Sequence, residues 1–289
     1  MPVNMAKVPV TTHAIHYGTS IFEGIRAYWN SNLYVFRLKD HVKRFRNSGK
    51  FYNIKLNFSD RQIENAVIDL CKKNKIRKSC YIRPFYFVGQ YGINFHVTQK
   101  APTHTAIFAF PFGDLFNKSG ITATISKWRK FSDMSTPTQA KMGGNYLNSI
   151  LATQDAKQRG FDEAILLDQS GNVSEAPGEN IFLVKNNMLV TPSLSSSALD
   201  GITRRSIITL AKDMKLKIKT QKVSKKELKM ADEIFLSGTA AEITPVIKID
   251  KKKIGEGKVG NITKLFMDTY SNIVMNKSEN YSHWLTAVY

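Results

Sequence analysis

Ala140-Lys141-Met142-Gly143-Gly144-Asn145-Tyr146-Leu147 sets one lysine just before paired glycines and the start of an apolar helix. A lysine flanked by small and apolar residues can be desolvated, which lowers its pKa and suits it to imine formation. Taken alone, the segment fits an exposed loop lysine better, because lysines abound in this chain. Working outward, the helix beginning at Asn145 should stop at Gly160, with strands at 163–168, 181–184 and 188–191 bounded by Gly, Asn or Pro. Further helices are expected near Thr203, at the capping box Ser224-Lys225-Lys226-Glu227, and near Asn261. Upstream lie a strand at 121–127 and a helix opened by the capping box Ser59-Asp60-Arg61-Gln62, followed by aromatic and β-branched strands at 80–88 and 105–110. Strands and helices mix without regular βαβ alternation, so the pattern predicts an α+β or irregular α/β architecture and not a doubly wound sheet.

Composition narrows the function classes. The 289 residues are 42% hydrophobic and 11% aromatic, enough to fold as two ordinary domains. Polar and turn-forming residues at 112–120 mark the connection between them. Two cysteines, Cys71 and Cys80, provide neither a disulfide framework nor a Cys-x-x-Cys metal spacing, so no metal and a reducing, cytoplasmic compartment are expected. Residues 1–10 carry no signal-peptide run, and no stretch is long and apolar enough to span a membrane. The formal charge of +19 raises a nucleic-acid partner. The basic residues fall in short groups such as Lys72-Lys73, Lys225-Lys226 and Lys251-Lys252-Lys253, which read as solvated helix surfaces and a hairpin tip, so no nucleic-acid partner is expected.

There is no Gly-x-Ser-x-Gly, no His-Glu-x-x-His, no Walker loop and no Gly-x-Gly-x-x-Gly after a strand, which removes the hydrolase, zincin and dinucleotide readings. What remains suits an anion. Gly201-Ile202-Thr203-Arg204 opens a helix with a glycine and a hydroxyl in its first turn, presenting free N–H groups and a positive dipole end. The small-residue turn Ser237-Gly238-Thr239-Ala240-Ala241-Glu242 follows a strand at 233–236 and can bring further N–H groups close to the same kind of ligand.

Six segments in order resemble the class IV pyridoxal-phosphate aminotransferases, and within them most closely the branched-chain amino-acid aminotransferases. They are His16 through Arg26 (His-Tyr-Gly-Thr-Ser-Ile-Phe-Glu-Gly-Ile-Arg), Tyr81-Ile82-Arg83-Pro84, Lys141 through Leu147, Ser174-Glu175 with Gly178-Glu179-Asn180, Gly201 through Arg204, and Ser237 through Pro245. The joint match reverses the loop reading of Lys141. It implies fold type IV, as in D-amino-acid aminotransferase: a smaller N-terminal α/β domain at 1–111, an interdomain loop at 112–120 and a larger C-terminal pseudo-barrel domain at 121–289.

The resemblance also implies roles. Lys141 is similar to the lysine that carries pyridoxal 5′-phosphate and then moves a proton at the substrate Cα. Glu175 is similar to the carboxylate facing the pyridine nitrogen, and Tyr146 to the phenol on the cofactor's O3′. Arg44, Ile202, Thr203 and Thr239 match the phosphate cup. Tyr81 and the Thr239-Ala240 turn match the groups that receive the α-carboxylate. Tyr17, Phe22 and Gly178 match the side-chain pocket, where Arg83 with Tyr17 resembles the pair that accepts the distal carboxylate of glutamate. His13 and His16 read as structural.

Three departures from the family pattern stand out. The chain begins close to the His-Tyr-Gly motif without the usual preceding strand and hairpin, so either an open edge on the first sheet or a misassigned start is expected. Ala176-Pro177 follows Glu175, where a proline removes a backbone donor. Leu115 stands where related bacterial enzymes place an interdomain-loop tyrosine. The function implied is transfer of the amino group of Leu, Ile or Val to 2-oxoglutarate by a ping-pong cycle, with small amino and 2-oxo acids as partners and a homodimer or higher homo-oligomer as the assembly. A D-amino-acid or (R)-amine transaminase or an aminodeoxychorismate lyase of the same fold is the alternative, and a basic nucleic-acid-binding protein the remote one.

Overall fold

The computed structural model describes residues 2–289; Met1, the first residue of the expected N-terminal unit, lies outside them. In chain order the elements are α1 (His13–Tyr17), β1 (Ser20–Phe22), β2 (Ile25–Asn30), β3 (Asn32–Phe36), α2 (Leu38–Lys50), α3 (Asp60–Lys73), β4 (Cys80–Val88), β5 (Thr103–Pro111), β6 (Ile121–Arg129), α4 (Tyr146–Gln158), β7 (Glu163–Leu167), β8 (Asn180–Lys185), β9 (Met188–Pro192), α5 (Ile202–Asp213), β10 (Ile218–Gln221), α6 (Lys225–Lys229), β11 (Glu233–Gly238), β12 (Glu242–Ile249), β13 (Lys252–Lys253), α7 (Asn261–Val274) and β14 (Leu285–Ala287).

β4 organises the first sheet. One side of it pairs with β5 along its whole length, while the other is shared between β1, opposite residues 85–87, and β2, opposite residues 80–82. β3 follows β2, and the chain's last strand, β14, lies antiparallel on β3. The edge beside β3 is therefore paired, and β14 leaves the C-terminal unit to join the first sheet. This pairing joins ends of the chain that no local pattern connects. Helices α2 and α3 cover one face: Val42 and Phe45 of α2 meet Ile63, Val67 and Cys71 of α3 over Val35, Ile82 and Tyr86. Both hydrogen bonds of the capping box at Ser59 and Gln62 form. Helix α2 had no counterpart among the expected elements, although its buried Leu38, His41, Val42 and Phe45 repeat at helical spacing.

The second sheet runs β10-β9-β8-β11-β12-β6-β7, with β13 on β12. Alternation along its central strands sorts side chains to two dry faces. Ile181, Leu183, Ile234 and Leu236 point to one cluster, and Phe182, Val184 and Phe235 to another, where Phe266 and Tyr270 of α7 and Ile207 and Leu210 of α5 pack. The segment after β7 closes the sheet on itself: Ser174 N–H donates to Leu166 O and Leu166 N–H to Glu175 O, while Val173 N–H donates to Val223 O just beyond β10. The result is the expected pseudo-barrel, with the first cluster inside it.

Lys141 hangs between the two units on backbone bonds. Phe22 N–H donates to Lys141 O (3.2 Å), Gly144 N–H donates to Gly18 O (3.1 Å), and Ile21 bridges Met142. Gly18 makes this approach possible. Its φ is +64°, and a Cβ there would sit 2.7 Å from Gly144 Cα. Gly18→Ala should therefore lower stability by ~1–3 kcal/mol, since strain and a backbone clash coincide. Chemical unfolding of the purified variant measures it, and a change within ~0.5 kcal/mol would show that the two segments need no such contact.

Candidate active site

A cavity of about 620 Å³ opens between β1 and β4 of the first unit and the α4, α5 and β11–β12 ends of the second. Lys141 lines it, with its Nζ 4.9 Å from the ring centres of both Phe22 and Tyr146 and donating to Tyr146 Oη at 2.5 Å. Loss of hydration, followed by the Arg44 charge, lowers the Lys141 pKa to about 8. Ser48 Oγ accepts from Lys141 N–H (3.0 Å), fixing the backbone from the α2 side. Burial raises the Tyr146 phenol to about 12, so it stays protonated.

Glu175 lies on the barrel-closing segment and is almost fully buried. Its Oε1 meets Lys130 Nζ at 2.7 Å, and its Oε2 accepts from Asn180 Nδ2 (3.1 Å) and Leu199 N–H (3.0 Å). These contacts fix the carboxylate in one orientation, and the buried ammonium supplies its counter-charge. The residues named for an anion share one end of the cavity. Ile202 and Thr203 begin α5, whose N-cap Gly201 makes no side-chain cap, so the first N–H groups of a twelve-residue helix lie at the cavity wall. Thr239 and Ala240 form the turn between β11 and β12 opposite them, and the buried hydroxyl of Ser237 at its start has no partner. Arg44 completes this end, joined to the buried Glu23.

β4 forms another wall of the cavity. A Cβ at Gly24 would lie 1.9 Å from Tyr81 Oη, so only glycine leaves that hydroxyl its place. Arg83 Nη2 donates to Tyr81 Oη (3.0 Å), its guanidinium lies 4.6 Å from the Phe22 ring centre, and its Nε is buried without a partner. Gly178 lines the same cavity, and the Pro177 carbonyl beside it accepts from Ser149 Oγ (2.7 Å). Glu179 is raised to about 8 by burial and by Glu163, which leaves a protonated carboxyl at neutral pH under this turn.

Tyr17 departs from expectation. It does not line the cavity but a smaller pocket of about 260 Å³, with its ring 5.1 Å from Phe95 and its hydroxyl near Ile93 O. The turn at Gly18 sends Ser20–Phe22 into the cavity wall and leaves Tyr17 outside it. His13 and His16 make only structural bonds, to Thr19, Asn94 and Val10. Leu115 sits exposed on the interdomain loop.

Four contributors were given no role by the sequence, although Asn180 and Arg26 lie within its motifs. Lys130 is one of many lysines, and only the β6–β7 register, which hydrogen-bonds its N–H to Leu167 O, brings it to Glu175. Asn180 and Leu199 reach the same carboxylate through contacts that no local pattern signals. Arg26 is buried on β2 and ties Phe112 O of the interdomain loop to Ala240 O of the turn (3.4 Å each), with Glu242 at 3.4 Å. Among the described residues no His, Cys, Asp and Glu group could hold a metal ion, and no helix is long and apolar enough to cross a membrane.

Residues 20–249 match the family model for amino-transferase class IV. The chain is 42% identical over 288 residues to the branched-chain-amino-acid aminotransferase of Escherichia coli (strain K12), covering 98% of this chain and 93% of that protein. Among solved structures it superposes with a TM-score of 0.97 and 40% identity on the branched-chain aminotransferase of Thermoproteus uzoniensis with norvaline, covering 100% of this chain and 96% of that one. The branched-chain amino acid aminotransferase of Thermobaculum terrenum in its PLP-form gives 0.94 and 34%, covering 100% of this chain and 95% of that one.

The Lys141 pKa has a direct readout. Only the free amine attacks an acylating reagent, so modification of Lys141 in the protein without cofactor should be half-maximal near pH 8 and level off above it. Exposed lysines should keep gaining reactivity toward about pH 10. Peptide mass spectrometry separates the two, and a Lys141 profile that tracks the exposed lysines would contradict the desolvated site.

Proposed function

The chain belongs to the class IV aminotransferases, and from that premise we propose that it is a branched-chain-amino-acid aminotransferase that uses pyridoxal 5′-phosphate to move the amino group of Leu, Ile or Val to 2-oxoglutarate. The observation that carries this reading is one cavity holding four things together: a lysine of lowered pKa, a carboxylate fixed by its neighbours, an uncapped helix N-terminus beside an arginine, and an apolar pocket with a cation at its side. The donor set fits the cofactor. Arg44, the Ile202 and Thr203 N–H groups and Thr239 would hold its phosphate, Tyr146 its O3′, Glu175 its ring nitrogen and Lys141 its aldehyde carbon. Bound there, the cofactor supplies an electrophilic carbon for the amino group and a ring that accepts the electron pair left when Cα loses its proton.

The chain's own residues supply the rest. Lys141 Nζ would carry the proton from the substrate Cα to the cofactor carbon that takes over the amino group, a role for which a pKa of about 8 suits it near neutral pH. Tyr146 stays protonated and donates. Glu175, with its other contacts occupied, keeps a proton on the ring nitrogen. Tyr81 and the Thr239-Ala240 turn, braced by Arg26, receive the α-carboxylate. Phe22 and Gly178 line the side-chain pocket and keep water from an aliphatic chain. Arg83 offers the same pocket a cation for the distal carboxylate of glutamate. The sharing of one site by both amino acids fits a ping-pong cycle, in which the first product leaves before the second substrate enters.

A homodimer is part of this reading. Phe108 and Ile150 at the cavity are exposed, as are Ile93 and Phe95 beside Tyr17. An apolar surface of this kind suits coverage by a second copy. Two buried free cysteines suit a cytoplasmic enzyme.

Single-turnover spectroscopy with one amino acid at a time tests the assignment. L-Leucine and L-glutamate should each react, and Arg83→Met should cost the glutamate half-reaction ~2–4 kcal/mol in kcat/KM while the leucine half changes much less. Equal losses would place Arg83 on the α-carboxylate. Reaction with D-amino acids or (R)-amines but not L-leucine would favour the other enzymes of this fold.

A further inference from the structure

Glu23 sits at the sharp junction of β1 and β2, with a side chain that is fully buried. Its carboxylate grips Arg44 by a fork, Nε to Oε1 at 2.6 Å and Nη2 to Oε2 at 2.9 Å. Oε2 also accepts from His41 Nδ1 (2.7 Å) and from Gly24 N–H (3.2 Å). Its own backbone is pinned as well, since Glu23 N–H donates to Pro84 O at 2.9 Å. His41 precedes Arg44 by nearly one turn of α2, so the helix presents both side chains to the same carboxylate.

Burial would push the Glu23 carboxyl up, but Arg44 and His41 outweigh it and hold it far below the usual range. Burial holds the His41 imidazole below its ordinary value, and a neutral ring donating from Nδ1 satisfies the bond. The cluster thus contains one anion and one cation, balanced before any ligand arrives. The guanidinium has five N–H groups in a fixed plane. Two go to Glu23 and one to Asp200 O (3.3 Å), leaving two without a protein partner among the described residues, on a side chain that lines the cavity.

We propose that Glu23 is a positioning residue for the phosphate site: it locks the plane of the Arg44 guanidinium so that its two remaining N–H groups await a phosphate dianion. This rests on the reading of the cavity as a pyridoxal-phosphate site. Lysine could not serve in place of Arg44, since it has no plane for a carboxylate fork to hold. His41 seats the carboxylate from the other side without adding charge. Preorganisation of this kind raises affinity by removing an ordering cost that binding would otherwise carry.

The test compares pyridoxal 5′-phosphate with pyridoxal, which lacks the phosphate, by titrating the full-length protein freed of cofactor. The wild type should prefer the phosphorylated form. Glu23→Gln should reduce that preference about tenfold with pyridoxal affinity nearly unchanged, and Arg44→Met should reduce it further. Adding Glu23→Gln to Arg44→Met should change nothing more, because Glu23 acts only through Arg44. Equal losses for both ligands, or additive losses in the double variant, would overturn the proposal and leave Glu23 a general support of the fold. A wild type with no preference would instead remove the cofactor reading itself, and the proposal with it. Should Glu23→Gln fail to fold, NMR of the wild type decides: the Arg44 Nε–H should already resist exchange before inorganic phosphate is added. Protection that appears only with phosphate would overturn the proposal.

Discussion

An ammonium kept from water between two aromatic rings, with the Arg44 and Arg83 charges nearby, is an unfavourable arrangement, and the rest of the site follows from how the fold sustains it. The unfavourable terms lower the Lys141 pKa to about 8, which makes the amine available near neutral pH. The same cations suit a ligand that brings negative charge at both ends, a phosphate toward α5 and carboxylates toward β4. Glu23 moderates the balance by neutralising Arg44 in the free protein.

The fold sustains this arrangement by joining its two units at the lysine itself. β1 bonds the Lys141 carbonyl and bridges Met142 beside it, Ser48 of α2 holds the Lys141 N–H, and the close approach of Gly18 and Gly144 sets the spacing. The second unit contributes rigidity. Its sheet closes through residues 173–175, so Glu175 sits on a strand-like segment bonded on both sides and not on a free loop. Arg26 bridges the interdomain loop and the Thr239-Ala240 turn, so that turn is braced from the first unit.

What could be read in the sequence was what local chemistry decides. Capping boxes at Ser59 and Ser224 formed as expected because both partners lie within one helical turn. Short strands bounded by Asn, Gly and Pro appeared within a residue or two of their expected places. Helix α2 has a buried stripe with only three large apolar side chains, Leu38, Val42 and Phe45, and it opens on Arg37 in a left-handed conformation instead of a capping Ser or Asp, so no start signal marks it. Long-range pairings were invisible for a different reason: neither the β14–β3 ladder nor the Lys130–Glu175 ion pair leaves a local trace. The residues named for the site by motif resemblance line one cavity except Tyr17, whose side is decided by the φ of Gly18 and not by its own chemistry.

The central claim is that Lys141 is the residue that carries the cofactor. Borohydride reduction of the purified protein loaded with pyridoxal 5′-phosphate, followed by peptide mapping, tests it directly. One phosphopyridoxyl group per chain on the peptide containing Lys141, absent in Lys141→Ala, is the predicted result. A label on Lys130 or any other lysine in the native protein, or an unchanged yield in Lys141→Ala, would contradict it.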